Sequence, residues 1–245
     1  MIQLETVVIS ANKNETNRLE APIVVHVMTP KLFENTNSVC LAQGLSFQPG
    51  LRVETNCQNC GFQQVRINGL DGPYTQLLLD GKALFSSLNG VYGIEQIPTG
   101  MIERVEVMRG GGSALYGANA IGGTVNIITK EPLNNLFMIS HNLTAIGNSA
   151  YDNTTSLNTS LVNSQRDAGI YLFGTSRHRQ HYDHDGDHFS EIGKLKLTTL
   201  GFRSFYKPTS QTKLTLESQY PGIPTWRKSI QSASPRNRYH RTGRS

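Results

Sequence analysis

The run Ile102-Glu-Arg-Val-Glu-Val-Met-Arg-Gly-Gly-Gly-Ser-Ala-Leu-Tyr-Gly-Ala-Asn-Ala-Ile-Gly-Gly-Thr-Val-Asn-Ile-Ile-Thr-Lys130 decides how this chain folds. Residues 102–108 and 125–128 are rich in β-branched and apolar side chains and read as two strands. Between them lie two glycine turns flanking a single helical turn over residues 113–116. Glycine admits positive φ and close backbone approach, so the run suits a unit folded tightly inside another structure. It lacks the Gly-Lys-Ser/Thr ending of a phosphate-binding loop, and no GxGxxG spacing fits it.

Working outward, residues 18–132 read as one compact α/β unit. Strands are expected at 23–27, 65–67 and 77–79, besides the two above. Thr29-Pro30 matches a helix start with proline at the first helical position. Ser38 is expected to cap a second short helix running to Gln43, with Gly44 at its C-terminal end. Asn68-Gly69, Asp71-Gly72-Pro73 and Asp80-Gly81 mark turns.

After Pro132 the pattern changes. Residues 137–146, 154–162, 169–182, 191–206 and 212–220 are long segments of largely alternating polarity. Tight connections at 164–167 and 207–211 alternate with a looser polar one at 183–190. Long up-and-down strands with short turns at one end and longer loops at the other fit an outer-membrane barrel. A soluble β-meander is the competing reading of the same alternation.

Composition agrees with a turn-rich β chain. Of 245 residues only 17% are charged, and glycine numbers 23, unlike a helical cytosolic enzyme. No segment reaches the ~18 consecutive apolar residues of a membrane helix, which says nothing against barrel strands. The net charge of +5 comes from the end of the chain. Arg227, Lys228, Arg236, Arg238, Arg241 and Arg244 lie in 221–245 without any acid, leaving 17 basic against 18 acidic residues before them. A nucleic-acid-binding face is therefore not expected. Residues 221–245 read as an aberrant or disordered basic tail, and no secretion signal follows Met1.

The glycine-rich run strongly resembles the plug of TonB-dependent outer-membrane receptors, whose signature is IERVEV-RG-SALYG-AIGG-VNIITK. Val65-Arg-Ile-Asn-Gly69 and Leu77-Leu-Leu-Asp-Gly81 resemble two further plug strands of that family, and residues 5–11 resemble its TonB box. Asn68 stands where the family often has arginine, and Gly110-Gly111 replaces a common Gly-Pro. The implied fold class is α+β: a small mixed plug with glycine-rich turns, followed by antiparallel strands of an incomplete outer-membrane β-barrel. The implied organisation is TonB box and linker over 1–15, plug over 16–132, about five barrel strands over 133–220, and the tail. Such barrels have about 22 strands. A missing leader and a truncated or frameshifted end are therefore expected.

The resemblance implies uptake of a scarce nutrient, an iron chelate, haem or cobalamin, into a Gram-negative bacterium through its outer membrane, with no covalent chemistry. TonB is expected to add a strand beside Glu5, Thr6, Val7, Val8, Ile9 and Ser10 by β-augmentation. Ligand contacts are expected at Asn56, Gln58, Asn59 and Phe62, at Leu70, Asp71 and Tyr74, and at Phe85, Ser86, Ser87, Asn89 and Tyr92. A non-transporting short product whose plug binds only ligand or TonB is the alternative.

Two smaller features stay open. Cys57-Gln-Asn-Cys60 lacks the further ligands a zinc site needs, leaving a Cys57–Cys60 disulfide or unpaired small residues, with Cys40 the odd third. Asp183, Asp185 and Asp187 alternate around Gly186 as calcium-binding carboxylates do; some family members bind calcium in the second external loop. The neighbouring histidines suggest a transition metal, and a solvated polar turn is the plainest reading. No cofactor is required.

Overall fold

The computed structural model describes residues 7, 8, 10, 16, 17, 21, 23–57, 62–84, 94–186, 190–209, 212–221 and 225–227. The glycine-rich run forms the centre of a five-stranded sheet. Its strands are β3 (Val25–Met28), β6 (Thr75–Leu79), β7 (Lys82–Ala83), β8 (Ile102–Arg109) and β9 (Gly123–Thr129), in the spatial order β3-β8-β9-β6-β7. Pairing is antiparallel except for β6 with β9, which run parallel. The helical turn Ser113–Tyr116 stands between β8 and β9 as expected. Gly123 opens β9 at φ +140, where a Cβ would collide with the Met108 carbonyl oxygen, so the sequence needs glycine there.

Two short helices cover the sheet, α1 (Pro30–Asn35) and α2 (Leu41–Leu45). Pro30 begins α1 as expected, but Ser38 does not cap α2: Cys40 holds the N-cap position. Gln43 folds back ahead of the helix, where its Oε1 accepts the Val39 amide at 2.8 Å. Gly44 lies inside α2 rather than at its end, because a side chain there would overlap the Phe33 ring. The hairpin β4 (Leu51–Cys57) with β5 (Phe62–Ile67) adds Leu51, Val65 and Ile67 to the core. β4 was not foreseen, because Arg52, Glu54 and Thr55 mask the apolar alternation in its sequence. A two-residue pair, β1 (Val7–Val8) with β2 (Thr16–Asn17), is the first among the described residues.

The remaining strands form one antiparallel wall. They are β10 (Leu136–Ile146), β11 (Ala150–Val162), β12 (Ala168–Arg179), β13 (Lys194–Thr209) and β14 (Thr212–Pro221), in chain order, with β15 (Thr225–Arg227) beside β13. Part of the tail is thus placed in a strand. Side-chain alternation is plain in β12 and β13: Tyr171, Phe173, Thr175 and Arg177, then Leu195, Leu197 and Thr199, are buried towards the plug-like unit. Tyr171 and Phe173 belong to that unit's own core. The opposite face exposes Phe137, Ile139, Leu143, Leu161, Leu200 and Leu216. The fold is therefore a mixed sheet-and-helix unit resting on an antiparallel wall that does not close into a barrel.

Candidate functional site

Three constellations join distant parts of the chain. The first holds the N-terminal segment. Glu106 and Asn126 face each other across β8 and β9, so their side chains share one face of the sheet. Ser10 sits on them, fully buried. Its amide and hydroxyl both donate to Glu106 Oε2, at 2.9 and 2.7 Å. Asn126 Nδ2 donates to Ser10 Oγ at 3.1 Å, and the Tyr116 hydroxyl donates to the Ser10 carbonyl at 3.1 Å. Arg104, two residues before Glu106 and on the same face, balances its charge at 2.9 Å. Burial, and then the Glu106 carboxylate, push the Tyr116 phenol upward. Val8, two residues before Ser10, is buried against Val25.

The second constellation ties the unit to the wall near the loop end of β12. Arg177 is 2% exposed and donates through Nη2 to Asp152 Oδ2 at 2.5 Å and through Nε to Oδ1 at 3.0 Å. Glu95 approaches both Arg177 and Arg179 at 3.9 Å. Burial pushes the Glu95 carboxyl up, against the pull of those two arginines. Cys40, a free cysteine, lies 3.5 Å from Arg177 Nη1, and burial raises its thiol.

The third lies lower on the wall. Asp80 closes the β6–β7 turn at φ +48 and accepts both the amide and hydroxyl of Thr129, at 2.9 and 2.7 Å. Arg203 of β13 donates to the same carboxylate at 2.5 Å. Arg203 also stands 3.7 Å from Glu217 and 3.9 Å from Glu131, which Lys213 in turn contacts. One aspartate therefore fixes a turn, the end of the central strand and the wall together.

Only part of the expected ligand set falls among the described residues. Leu70, Asp71 and Tyr74 follow the C-terminal end of β5, whereas Phe62 begins that strand, about 17 Å away along its extended residues. Asp71 pairs with Arg66 at 3.1 Å. The Tyr74 carbonyl accepts the Gly122 amide at 2.8 Å, and a Cβ at Gly122 would meet Leu70 at 3.4 Å, so this group sits close against the glycine-rich run. Gln58, Asn59 and Cys60, with Phe85, Ser86, Ser87, Asn89 and Tyr92, lie outside the described residues, as do Glu5, Thr6, Ile9 and Asp187. Of Asn56, Cys57, Phe62 and Val7 only the backbone is described.

In the loop after β12, Asp183, Asp185 and Glu191 each bring a carboxylate oxygen within 4.8 Å of the others. Gly186 at φ +77 turns the loop, its amide donating to Asp183 at 2.7 Å, and the His184 amide donates to Glu191 at 2.6 Å. Glu191 is the member that sequence reading missed, because it lies eight residues from Asp183 and is brought back only by the loop.

Residues 17–124 match the family model of the TonB-dependent Receptor Plug Domain. The vitamin B12 transporter BtuB of Vibrio vulnificus (strain CMCP6) is 35% identical over 127 residues, 52% of this chain and 21% of that protein. BtuB of Vibrio cholerae is 31% identical over 126 residues, again 21% of its length. The siderophore receptor PirA of Acinetobacter baumannii superposes with a TM-score of 0.67 at 23% identity, covering 80% of this chain and 31% of PirA. FpvA of P. aeruginosa gives 0.68 at 18% identity, covering 90% and 28%. The chain thus spans about a fifth of the curated relatives it matches and under a third of these two structures.

Proposed function

We propose that the chain, whose residues 17–124 match the model of the TonB-dependent receptor plug domain, is the plug and first wall strands of an outer-membrane receptor for TonB-energised nutrient uptake. The observation that carries this reading is the relation between the two parts. The plug is pinned through Asp80 and Glu95 to the inner face of an antiparallel wall whose other face is apolar. Such a wall has no use for its outer leucines in water, but it fits lipid. The domain limits 1–15, 16–132, 133–220 and 221–245 are part of the same proposal.

Cobalamin is the nutrient to test first, because the sequence likeness through the plug is to B12 transporters. The likeness to siderophore receptors supports the fold alone. The family is one of receptors, and the chain is proposed to bind and hand on its ligand without covalent chemistry. TonB is proposed to pair with residues 5–10. In the resting chain Val7–Val8 pairs with Thr16–Asn17 and Ser10 is clamped, so pairing requires that this segment first come free.

The test is binding of the TonB C-terminal domain to the purified chain. Val8→Pro removes a backbone donor and is expected to weaken the complex about tenfold, as one lost hydrogen bond with misfit strand geometry would. Unaltered affinity would remove residues 5–10 from the contact.

A further inference from the structure

A crevice of about 260 Å³ lies where the connection between α1 and α2 meets the loop ends of β10, β11 and β12. Strand pairing decides what lines it. Asn142 stands opposite Thr154 and Thr144 opposite Asp152, while Thr154 also stands opposite Arg177 and Asp152 opposite Arg179. Alternate residues share one face of a strand, so these side chains converge on the plug. From the plug, Asn37 just after α1 and Gln43 within α2 complete the polar lining. Val39, Ile146 and Ile192 supply the apolar part.

Hydrogen bonding within this lining leaves donors over. Arg177 is almost fully buried and spends Nε and Nη2 on Asp152, occupying both oxygens of that carboxylate. Its Nη1 has the Cys40 sulfur at 3.5 Å, a weak acceptor, and Glu95 at 3.9 Å. Asn37 Oδ1 accepts the Asn142 side-chain amide at 2.5 Å, and Gln43 Oε1 accepts the Val39 backbone amide. The NH2 groups of Asn37 and Gln43 have no acceptor among the described residues. The lining holds two guanidinium groups, Arg177 and Arg179, against one carboxylate, Asp152, and so nets one positive charge. Glu95 stands outside the lining, and burial disfavours its charged form.

We propose that this crevice binds a small carboxylate with a short branched hydrocarbon body. The carboxylate oxygens take the unspent donors of Asn37, Gln43 and Arg177, in charge-assisted hydrogen bonds. The hydrocarbon end lies against Val39, Ile146 and Ile192, as ligands in mostly preformed pockets do. A neutral amide of the same shape brings an NH2 group into a lining that has little left to accept it. Inorganic phosphate has no body to fill the apolar part. The inference stands apart from the uptake reading, because it uses only the junction of plug and wall.

The test titrates the full chain, isotope-labelled and held in neutral detergent micelles, with isovalerate, isovaleramide or inorganic phosphate, read from the side-chain amide resonances of Asn37 and Gln43. Isovalerate is expected to shift both and to saturate with a dissociation constant of about 1 mM, as suits so small a ligand. Isovaleramide and phosphate should each bind about tenfold more weakly or less. Gln43→Glu keeps the oxygen that accepts the Val39 amide but exchanges the spare donor for a negative charge. Asn37→Asp does the same beside Asn142 and suits the left-handed backbone at φ +52. Each variant should weaken isovalerate binding about tenfold, read at the side-chain amide that remains. Resonances of the plug and wall away from the crevice should stay in place, which separates lost binding from lost folding. In the unaltered chain, failure to saturate, or equal binding of the amide or of phosphate, overturns the carboxylate site. Undiminished binding in the folded variants overturns it too.

Discussion

Ser10 and Glu106, 96 residues apart in sequence, are joined twice, because the serine's amide and its hydroxyl both donate to one carboxylate oxygen. Both residues are fully buried. The carboxylate is therefore a receptor for one particular residue of the N-terminal segment, and its charge is balanced locally by Arg104.

Ser10→Ala removes the hydroxyl from between Glu106 and Asn126 and leaves two buried polar groups short of a partner. A loss of about 1–3 kcal/mol is expected, concentrated in the docking of residues 7–10 rather than in β8 and β9. Hydrogen exchange should show the Val8 and Ser10 amides losing protection while those of Val107 and Val125 keep it. Affinity for the TonB domain should rise as the free segment becomes more populated. Equal loss of protection throughout the sheet would show that Ser10 supports the plug itself.

Asp80→Asn retains the shape of the side chain and suits the left-handed backbone at this position, but it removes the charge that Arg203 holds. The pair is only partly exposed, and Glu217 and Glu131 stand ready to share Arg203. The expected destabilisation is about 1–2 kcal/mol, read as a lowered urea midpoint. Faster exchange of the Thr129 amide should accompany it. An unchanged midpoint would mean that the plug is held by its apolar contacts alone.

Glu95 provides a pH signature. Its carboxyl is raised by burial above the ordinary 4.5, so the folded state holds the proton more tightly than the unfolded chain. The resulting stabilisation is complete below the ordinary value and is lost as pH rises through the raised one. The unaltered chain should therefore lose thermal stability relative to Glu95→Gln as pH is raised from about 4.5. Parallel curves across that range would show that Arg177 and Arg179 cancel the effect of burial.

The loop carboxylates are proposed to take calcium, the ion that oxygen-only ligands favour. Terbium luminescence should saturate in the unaltered chain, and both Asp183→Asn and Glu191→Gln should weaken it about tenfold or more, in line with losing one charged ligand. If only Asp183 matters, Glu191 serves the His184 amide and the ion is held by other groups.

Much of this architecture was legible in the sequence, and for physical reasons. The strands around the glycine-rich run and the wall strands β11, β12 and β13 announce themselves because burial on one face forces alternation of polarity. The helical turn at Ser113 is equally plain between its glycines. The ties between the two parts were not legible. Asp80 reads as an ordinary turn residue, and nothing local says that it will meet Arg203 of a strand 123 residues later. Arg177 left one trace: in β12 it occupies an inward position, where the alternation calls for a residue that can be buried. A buried arginine there demands carboxylates, and Asp152 and Glu95 supply them. Ser10 left none, because a serine between hydrophobic residues looks the same whether it is solvated or clamped.

The parallel pairing of β6 with β9 also governs the order in which the molecule can be assembled. Until residues 123–129 exist, the hairpin of β6 and β7 and the pair of β3 and β8 are two separate half-sheets, because β9 lies between them. Non-local pairings of this kind form late, since a long loop must close before any contact rewards it. The last strand made is the one that completes the sheet, and the wall begins only seven residues after it, at Leu136. A chain emerging from its N-terminus therefore finishes the plug just before the first wall strand appears. The wall can then be laid down strand by strand against a finished surface, with Tyr171 and Phe173 docking as they arrive.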